Sequence, residues 1–149
     1  MNLVIKKFNE LTSKELYEII KLRVQVFIVD QKCVYQDLDS LDYDCYHHFV
    51  EDNGEILAYT RIFNKGVNFP EVSFGRVMSN KLYRGKGFCK KLLSESIKFI
   101  ENELNENIIK IRSRVHAVNF YKKLGFVEEG EEYLESGLPH INMVYKSKK

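Results

Sequence analysis

The sequence predicts an α/β fold of the α+β kind, in which a mixed central β-sheet is flanked by helices within one domain, residues 1–149. Two long segments carry apolar residues at the spacing of an amphipathic helix, and short apolar segments typical of strands precede, separate and follow them. The length of 149 residues, with 44% hydrophobic and 30% charged residues, suits a single hydrophobic core and argues against disorder.

The N-terminal half predicts, in order, a strand, a helix, a long loop and a β-hairpin. Thr12 and Glu15 have the spacing of a capping box, so we expect a helix to begin there, followed by apolar residues on one face. Residues 30–46 are polar and aperiodic, which is typical of a loop. The pair Asn53-Gly54 suits a tight turn that needs positive φ. The predicted strands of this half cover 3–8, 48–51 and 55–63.

The C-terminal half alternates strands with helices. A long amphipathic helix begins at Phe88, and a shorter helix covers 115–124. Residues 133–139 are expected to form a turn. The predicted strands of this half are 72–79, 108–111, a strand that begins at Gly125, and 141–145. Strands thus both precede and alternate with helices, which favours one sheet with helices on its faces.

Composition excludes several classes of function. The formal net charge of +2 is too small to indicate nucleic-acid binding, which needs basic charge concentrated on one face. The three cysteines, Cys33, Cys45 and Cys89, lack the spacing of a metal site or a disulfide framework. We expect no signal peptide, because the N-terminus lacks the apolar h-region of one, and no membrane span, because no apolar run reaches the necessary length. We therefore expect a cytoplasmic protein with no metal, nucleic-acid or membrane partner.

An acidic run follows the first helix, where Asp37, Asp39, Asp42 and Asp44 fall close together. Beside a cleft, such a run would attract a cationic substrate such as an amine, although a solvated loop is the simpler interpretation. A calcium-binding loop of the EF-hand type that began at Asp37 would need Gly at position 42 and Glu at position 48, so it is excluded.

Arg23 lies close to the apolar face of the first helix. Because a buried guanidinium must be paired, we expect an acidic partner, either Asp30, Asp37 or Asp39. Two roles stay open for this arginine: a structural ion pair, or shaping of a substrate site.

A glycine-rich loop joins the strand 72–79 to the long helix. Gly85 and Gly87 allow the backbone to approach a ligand closely, and free N–H groups at a helix start form an anion site. Arg84 and Lys86 add positive charge suited to a diphosphate. The loop is neither a Walker A loop nor a dinucleotide-binding loop, because position 90 is Lys90 and no Gly-Lys-Ser/Thr is present. A structural turn at a helix N-cap is the alternative.

A second motif follows downstream. The segment Ala117–Phe126 resembles the A-x-x-(F/L)-Y-x-x-x-G-F segment of the GNAT N-acetyltransferases, and Arg84, Gly87 and Cys89 resemble that family's R/Q-x-x-G-x-G/A loop. The segments 22–31, 33–39, 75–77 and 133–141, with Gly-Leu-Pro-His at 137–140, resemble its ElaA-like branch. Three positions depart from the family pattern: Cys89 in place of Gly or Ala, Ser79, and Arg114.

The resemblance implies an acetyl-CoA-dependent N-acyltransferase in which the amine attacks the thioester directly in a ternary complex. It also implies that the loop binds the diphosphate and that the end of the strand 72–79 pairs with the pantetheine arm. Tyr121 would be the general acid for the leaving thiolate, with a core tyrosine as the alternative. The implied cofactor-binding residues are Val77, Met78, Ser79, Arg84, Gly85, Lys86, Gly87, Phe88, Cys89, Arg114 and Phe120.

The general base is left open between His140 and His116, which come first, His48, Asp30 and a water relay; the histidines are candidates because an unperturbed histidine titrates near working pH. The candidate residues for the amine acceptor site, a small molecule or a peptide, are Arg23, Asp30, Asp37, Asp39, His48 and Arg76. A homodimer is the assembly that the resemblance suggests.

One alternative function is an acyl-CoA-binding module without turnover. The other is an activity like that of acyl-homoserine-lactone synthases, for which the chain is short and lacks Trp.

Overall fold

The computed structural model describes residues 1–148 and divides into two compact units. Unit one comprises Met1–Ile62 and Arg76–Ser96, and unit two comprises Phe63–Gly75 and the chain from Ile97 onward. The strands are β1 (Asn2–Lys7), β2 (Cys45–Asp52), β3 (Glu55–Phe63), β4 (Ser73–Ser79), β5 (Ile108–Arg114), β6 (Val127–Glu135) and β7 (Leu138–Lys146). The α-helices are α1 (Ser13–Arg23), α2 (Phe88–Asn102) and α3 (Val118–Lys123). The predicted α+β class is confirmed, and the one-domain organisation stays a prediction.

The start of α1 follows from its capping box. The Glu15 backbone N–H donates to Thr12 Oγ1 at 3.0 Å, and the Thr12 N–H donates to Glu15 Oε1 at 2.8 Å. The predicted helix does not continue as a regular α-helix, because Val24–Val29 form a π-helical turn in which the Asp30 N–H donates to Gln25 O, five residues back, at 2.9 Å. The apolar periodicity alone does not distinguish these two helix types.

The sheet of unit one has the order β1-β2-β3-β4. β1 runs antiparallel to β2, with Val4 opposite Phe49. β2 and β3 form the predicted hairpin, and its turn residues Asn53 and Gly54 both have positive φ, 50° and 82°. Every residue of β3 after the first is buried, so β3 forms the centre of this core. This core includes one cluster around Ile19, Phe49, Ile56, Tyr59 and Met78 and another around Val50, Leu57, Ala58 and Leu92.

Unit two contains a second sheet, with the order β5-β7-β6, where one sheet was expected. Both pairs of strands are antiparallel, and Val72, directly before β4, makes an isolated parallel bridge to Ile109 of β5. The predicted turn at 133–139 is too long, because the turn contains only Ser136 and Gly137, both with positive φ. The residues Tyr133–Glu135 therefore belong to β6, and Leu138–Pro139 belong to β7, instead of to the turn.

His47 and His48 are adjacent residues of β2, and both are buried. His48 was expected to face the substrate. His48 is 4% exposed, and its Nδ1 lies 2.6 Å from Ser96 Oγ, which itself donates to Leu92 O at 3.0 Å. Burial lowers the pKa of His48 to about 4. The expectation that His48 faces the acceptor is therefore corrected: the side chain is a neutral core residue.

No helix within residues 1–148 has both the length and the apolar character that crossing a membrane requires.

The burial of neutral His48 predicts a pH-dependent stability. The unfolded state binds the proton at the ordinary pKa of 6.5, whereas the folded state binds it only near 4. Stability from this group is therefore complete above pH 6.5 and is lost as the pH falls towards 4, by about 3 kcal/mol. Urea unfolding of wild type and His48→Gln between pH 4 and 7.5 measures this effect.

The His48→Gln variant is expected to show a flatter decline of unfolding free energy over that interval, and the exposed His116→Gln serves as the control. An equally steep decline in His48→Gln would show that this histidine does not carry the effect.

Candidate functional site

The glycine-rich loop of unit one is open around both of its glycines. Gly85 has φ 83° and Gly87 has φ 79°, and no heavy atom lies within 4 Å of the position that a Cβ would occupy at either residue. Glycine is therefore required here by backbone conformation, while the space above the loop stays free for a ligand. α2 starts directly afterwards, with the Lys91 N–H bonded to Gly87 O at 3.1 Å. Its first N–H groups have no partner within the helix.

Tyr83 holds the start of the loop in place. Its hydroxyl donates to Glu55 Oε2 at 2.5 Å, and its ring meets the Phe88 ring edge-on at 6.4 Å between centroids. The Lys86 ammonium lies 5.5 Å from the centre of the Tyr83 ring, and the neighbouring Arg84 is exposed. Two cations thus stand on an open loop whose base is fixed, which is the arrangement that suits an anionic ligand.

Cys89, one of the three residues that depart from the family pattern, packs away from this loop. The residue packs against the second core cluster of unit one, and burial raises the pKa of its thiol to about 12. The larger side chain is accommodated in the core as an unreactive apolar group.

The end of β4 leads into the loop. Met78 is buried in the first core cluster, whereas Val77 and Ser79 are half-buried. Asn80 then fixes the chain to β3, because its N–H donates to Leu57 O at 2.8 Å and its side-chain amide donates to Ile56 O at 3.3 Å. Directly before this segment, Arg76 has a φ of 51°, which is rare for a residue with a Cβ.

Three arginines and three aspartates form a closed ring of alternating charge in unit one; we call this set the Arg–Asp ring. Arg23 contacts Asp37 at 2.9 Å and Asp42 at 2.6 Å. Arg61 contacts Asp42 at 3.1 Å and Asp39 at 2.6 Å. Arg76 completes the ring with Asp37 at 2.9 Å and Asp39 at 3.7 Å. Formal charges cancel around the ring, so each buried ion is paired.

The ring supplies the acidic partners that a buried Arg23 requires, while its role in shaping a substrate site stays a prediction. The side chain is 1% exposed and donates to Asp37, as one of the expected pairs requires, so the structural ion pair is confirmed. Asp42 is an additional partner that the sequence analysis missed. Asp30 is not a partner of Arg23, because it lies exposed at the end of the π-helical turn and accepts from the Gln25 amide at 2.8 Å.

The same ring pairs most of the aspartates in the acidic run that follows the first helix. Asp37 and Asp42 are buried among arginines, and only Asp44 of the four lies exposed outside the ring. Burial opposes ionisation of Asp39, but its hydrogen bonds and charge attraction to Arg61 prevail and lower the pKa of this carboxyl to about 2. The run therefore does not form a free acidic strip for a cation.

Tyr121 lies in unit two, on α3, within a group of aromatic rings. It is 7% exposed, and ring centroids of Phe74, Phe120 and Phe126 lie 6.4, 5.3 and 5.9 Å from its own. Phe120 is half-buried beside it. This packing fixes the orientation of the phenol ring, and the role of general acid stays a prediction.

His140 lies on β7, between Tyr133 of β6 and Arg114 of β5. Its Nδ1 is 2.7 Å from Leu138 O, and because a carbonyl only accepts, Nδ1 carries the proton in this contact. Nε2 is then the proton-accepting nitrogen, and Glu135 Oε2 lies 3.6 Å from it. The Tyr133 ring stacks on the imidazole at 6.0 Å. Arg114 is half-buried, and its Nε has no hydrogen-bond partner among residues 1–148.

His116, the other candidate base, differs from His140. It is exposed in the short 3₁₀ turn Val115–Ala117 that precedes α3. Among the three histidine candidates, only His140 combines a defined tautomer with a carboxylate at its second nitrogen. Sequence reasoning missed Arg61 and Glu135. Arg61 could have been found from the sequence, because a charged residue inside the largely apolar strand β3 indicates a buried ion pair.

Comparison with known proteins identifies relatives along almost the whole chain. The family model for the acetyltransferase (GNAT) domain matches residues 10–147. A UPF0039 protein of Synechocystis is 33% identical, over 95% of this chain and 92% of its own. Protein ElaA of Escherichia coli is 34% identical, over 91% of this chain and 90% of its own. The crystal structure of an acyl-CoA N-acyltransferase from Pseudomonas aeruginosa superposes with a TM-score of 0.90 at 33% identity, covering 97% of this chain and 99% of that one.

The Arg–Asp ring predicts a large loss of stability when one cation is removed. Arg23→Met is expected to lower the free energy of unfolding by about 3–5 kcal/mol, because two buried carboxylates lose a partner. Chemical denaturation measures this loss, with Lys21→Met, an exposed cation on the same helix, as the matched control. Losses of similar size in the two variants would contradict a structural role for the ring.

Proposed function

This chain belongs to the GNAT acetyltransferase family, and we propose that it is an N-acyltransferase that moves an acetyl group from acetyl-CoA to a primary amine by direct attack in a ternary complex. The observation that carries this proposal is the open loop at Gly85 and Gly87, with two exposed cations beside the start of α2. Family membership implies acyl transfer from CoA, and the loop supports CoA as the donor.

The residues present fit a diphosphate. Backbone N–H groups from Arg84 to Cys89 would bind its oxygens, and Arg84 and Lys86 would balance its charge. The backbone of Val77–Ser79 would pair with the pantetheine arm, and we carry over Phe120 and Arg114 as further predicted contacts. Bound there, acetyl-CoA would supply an activated thioester. A backbone N–H of Val77 or Met78 would stabilise negative charge on the carbonyl oxygen by about 3 kcal/mol.

Two protons must move for an ammonium ion to become an amide. We assign the first to His140, whose Nε2 has the lone pair because Nδ1–H donates to Leu138 O. Glu135, 3.6 Å from Nε2, would stabilise the imidazolium that results. The Tyr121 hydroxyl, an acid suited to a thiol-type leaving group, would give its proton to the departing CoA thiolate, and the phenolate so formed would accept the second proton from the nitrogen of the tetrahedral adduct.

The direct test is release of free CoA. Protein, acetyl-CoA and a panel of primary amines are incubated with a thiol reagent, and amine-dependent CoA release above background is expected. Calorimetry measures CoA binding in parallel. Binding without amine-dependent release would favour the acyl-CoA-binding module, and the absence of binding would contradict both functions.

Gly87→Val places a β-branched residue at positive φ and should weaken CoA binding about tenfold or more, because the loop conformation is strained. Gly66→Val is the matched control, since Gly66 also has positive φ and no heavy atom within 4 Å of a Cβ. Equal CoA affinity in the two variants would argue against this loop as the diphosphate site.

The proton-transfer assignment makes a separate prediction. Tyr121→Phe is expected to lower kcat about 10- to 1000-fold and His140→Gln about 100-fold, with little change in CoA affinity, since each removes a proton-transfer group. Tyr145→Phe, from the same aromatic group, and His116→Gln are the controls. Wild-type turnover in either test variant would remove that residue from the mechanism.

A further inference from the structure

We propose that Arg76 is the specificity residue of the acceptor site, and that the acceptor is an amine that also carries a carboxylate, which this guanidinium binds. The inference rests on the proposed function and names the substrate class of the same site. It begins from a backbone outlier. Arg76 has φ 51° within β4, a conformation that L-residues with a Cβ rarely adopt and that persists mainly at functional sites.

The Arg76 side chain is held along only one edge. Nε donates to Asp37 Oδ1 at 2.9 Å, and Nη2 lies 3.4 Å from Asp37 O and 3.7 Å from Asp39 Oδ2. Nη1 has no hydrogen-bond partner in the part of the chain that the structure describes. The other two arginines of the ring are 1% and 2% exposed, whereas the Arg76 side chain is 24% exposed. Arg76 is therefore the ring member that presents unused donors to solvent.

Two aromatic rings fix the plane of this guanidinium. The ring centres of Phe27, from the π-helical turn, and Tyr35 lie 5.9 and 5.7 Å from Arg76 Cζ. Tyr35 is itself held by its hydroxyl, which donates to Asp37 Oδ1 at 3.3 Å. A planar, preorganised guanidinium with a free edge is suited to a carboxylate, which it can bind through two parallel hydrogen bonds.

The rest of the Arg–Asp ring disfavours a cationic group at this place. Asp37 is buried, and both carboxylate oxygens of Asp39 accept from Arg61, at 2.8 and 2.6 Å. A second ammonium group on the substrate would find these acids occupied. The contact between Arg76 and Asp39 is the longest in the ring, so an incoming carboxylate can replace it while Arg61 keeps Asp39 paired. Val77 and Met78, which we propose to lie at the thioester, directly follow Arg76 in the chain.

The experiment compares matched acceptors in the CoA-release assay. Phenylalanine is tested against phenethylamine and phenylalanine amide, and lysine against 1,5-diaminopentane. We expect kcat/KM to be at least about tenfold higher for the carboxylate-bearing member of each pair, as one well-placed charged hydrogen-bond pair provides. Equal or faster turnover of the amines or of the amide would overturn the proposal.

Two variants connect that preference to Arg76. Arg76→Asn tolerates positive φ and removes the cation, and Arg76→Lys keeps the charge but lacks the planar fork. In both, the carboxylate preference should fall to about threefold or less, while calorimetry should show unchanged affinity for CoA. Lys21→Gln, an exposed cation outside the ring, is the control and should keep the wild-type preference. An unaltered preference in Arg76→Asn would overturn the assignment.

The two proposals fail in different ways. Without amine-dependent CoA release from any acceptor, the proposed function fails, whereas release that favours carboxylate-free amines contradicts only the role of Arg76.

Discussion

The closed Arg–Asp ring is the interaction on which the rest of unit one depends. It joins the end of α1, the loop after the π-helical turn, β3 and β4 through six side chains that alternate in charge. Burying one such charge without a partner would cost several kcal/mol, and removing any one member takes from each of its two neighbours one of their two partners. An aperiodic acidic loop thereby acquires a fixed conformation that its own backbone does not provide.

The ring also decides the electrostatic character of the surface next to β4. From composition alone, four aspartates in a short run suggest attraction of cations. Because three of them are each shared between two arginines, their charge is cancelled locally; of the two partly exposed ring members, Asp39 has both carboxylate oxygens bonded to Arg61, and Arg76 keeps free donors. The sign of a local field therefore follows from which charges are paired in space, and a count along the sequence does not give it.

The features that the sequence predicted well are those set by neighbours in the chain. The capping box of Thr12 and Glu15, the Asn53-Gly54 turn and the glycine loop before α2 each depend on local backbone geometry. The features it missed depend on distant partners. Asp42 pairs with Arg23 and Arg61, and His48 is buried against Ser96, 48 residues away. The spacing of residues along the chain contains no information on such distant pairs, so the structure is needed to show which side chains are buried and which charges are paired.

In the function that we propose, binding of the acyl donor would depend on main-chain groups, whereas binding of the acceptor would depend on one side chain. The loop at Gly85 and Gly87 offers main-chain N–H groups, which every residue except proline has, so diphosphate binding there would need little beyond the correct φ and a nearby positive charge. The recognition that we propose at Arg76 would need one particular side chain, which lies against the rings of Phe27 and Tyr35 and is paired with two aspartates. Relatives that share the loop can therefore share a donor while their acceptors differ. Family membership therefore implies the acyl carrier, whereas the class of amine is inferred from the Arg–Asp ring.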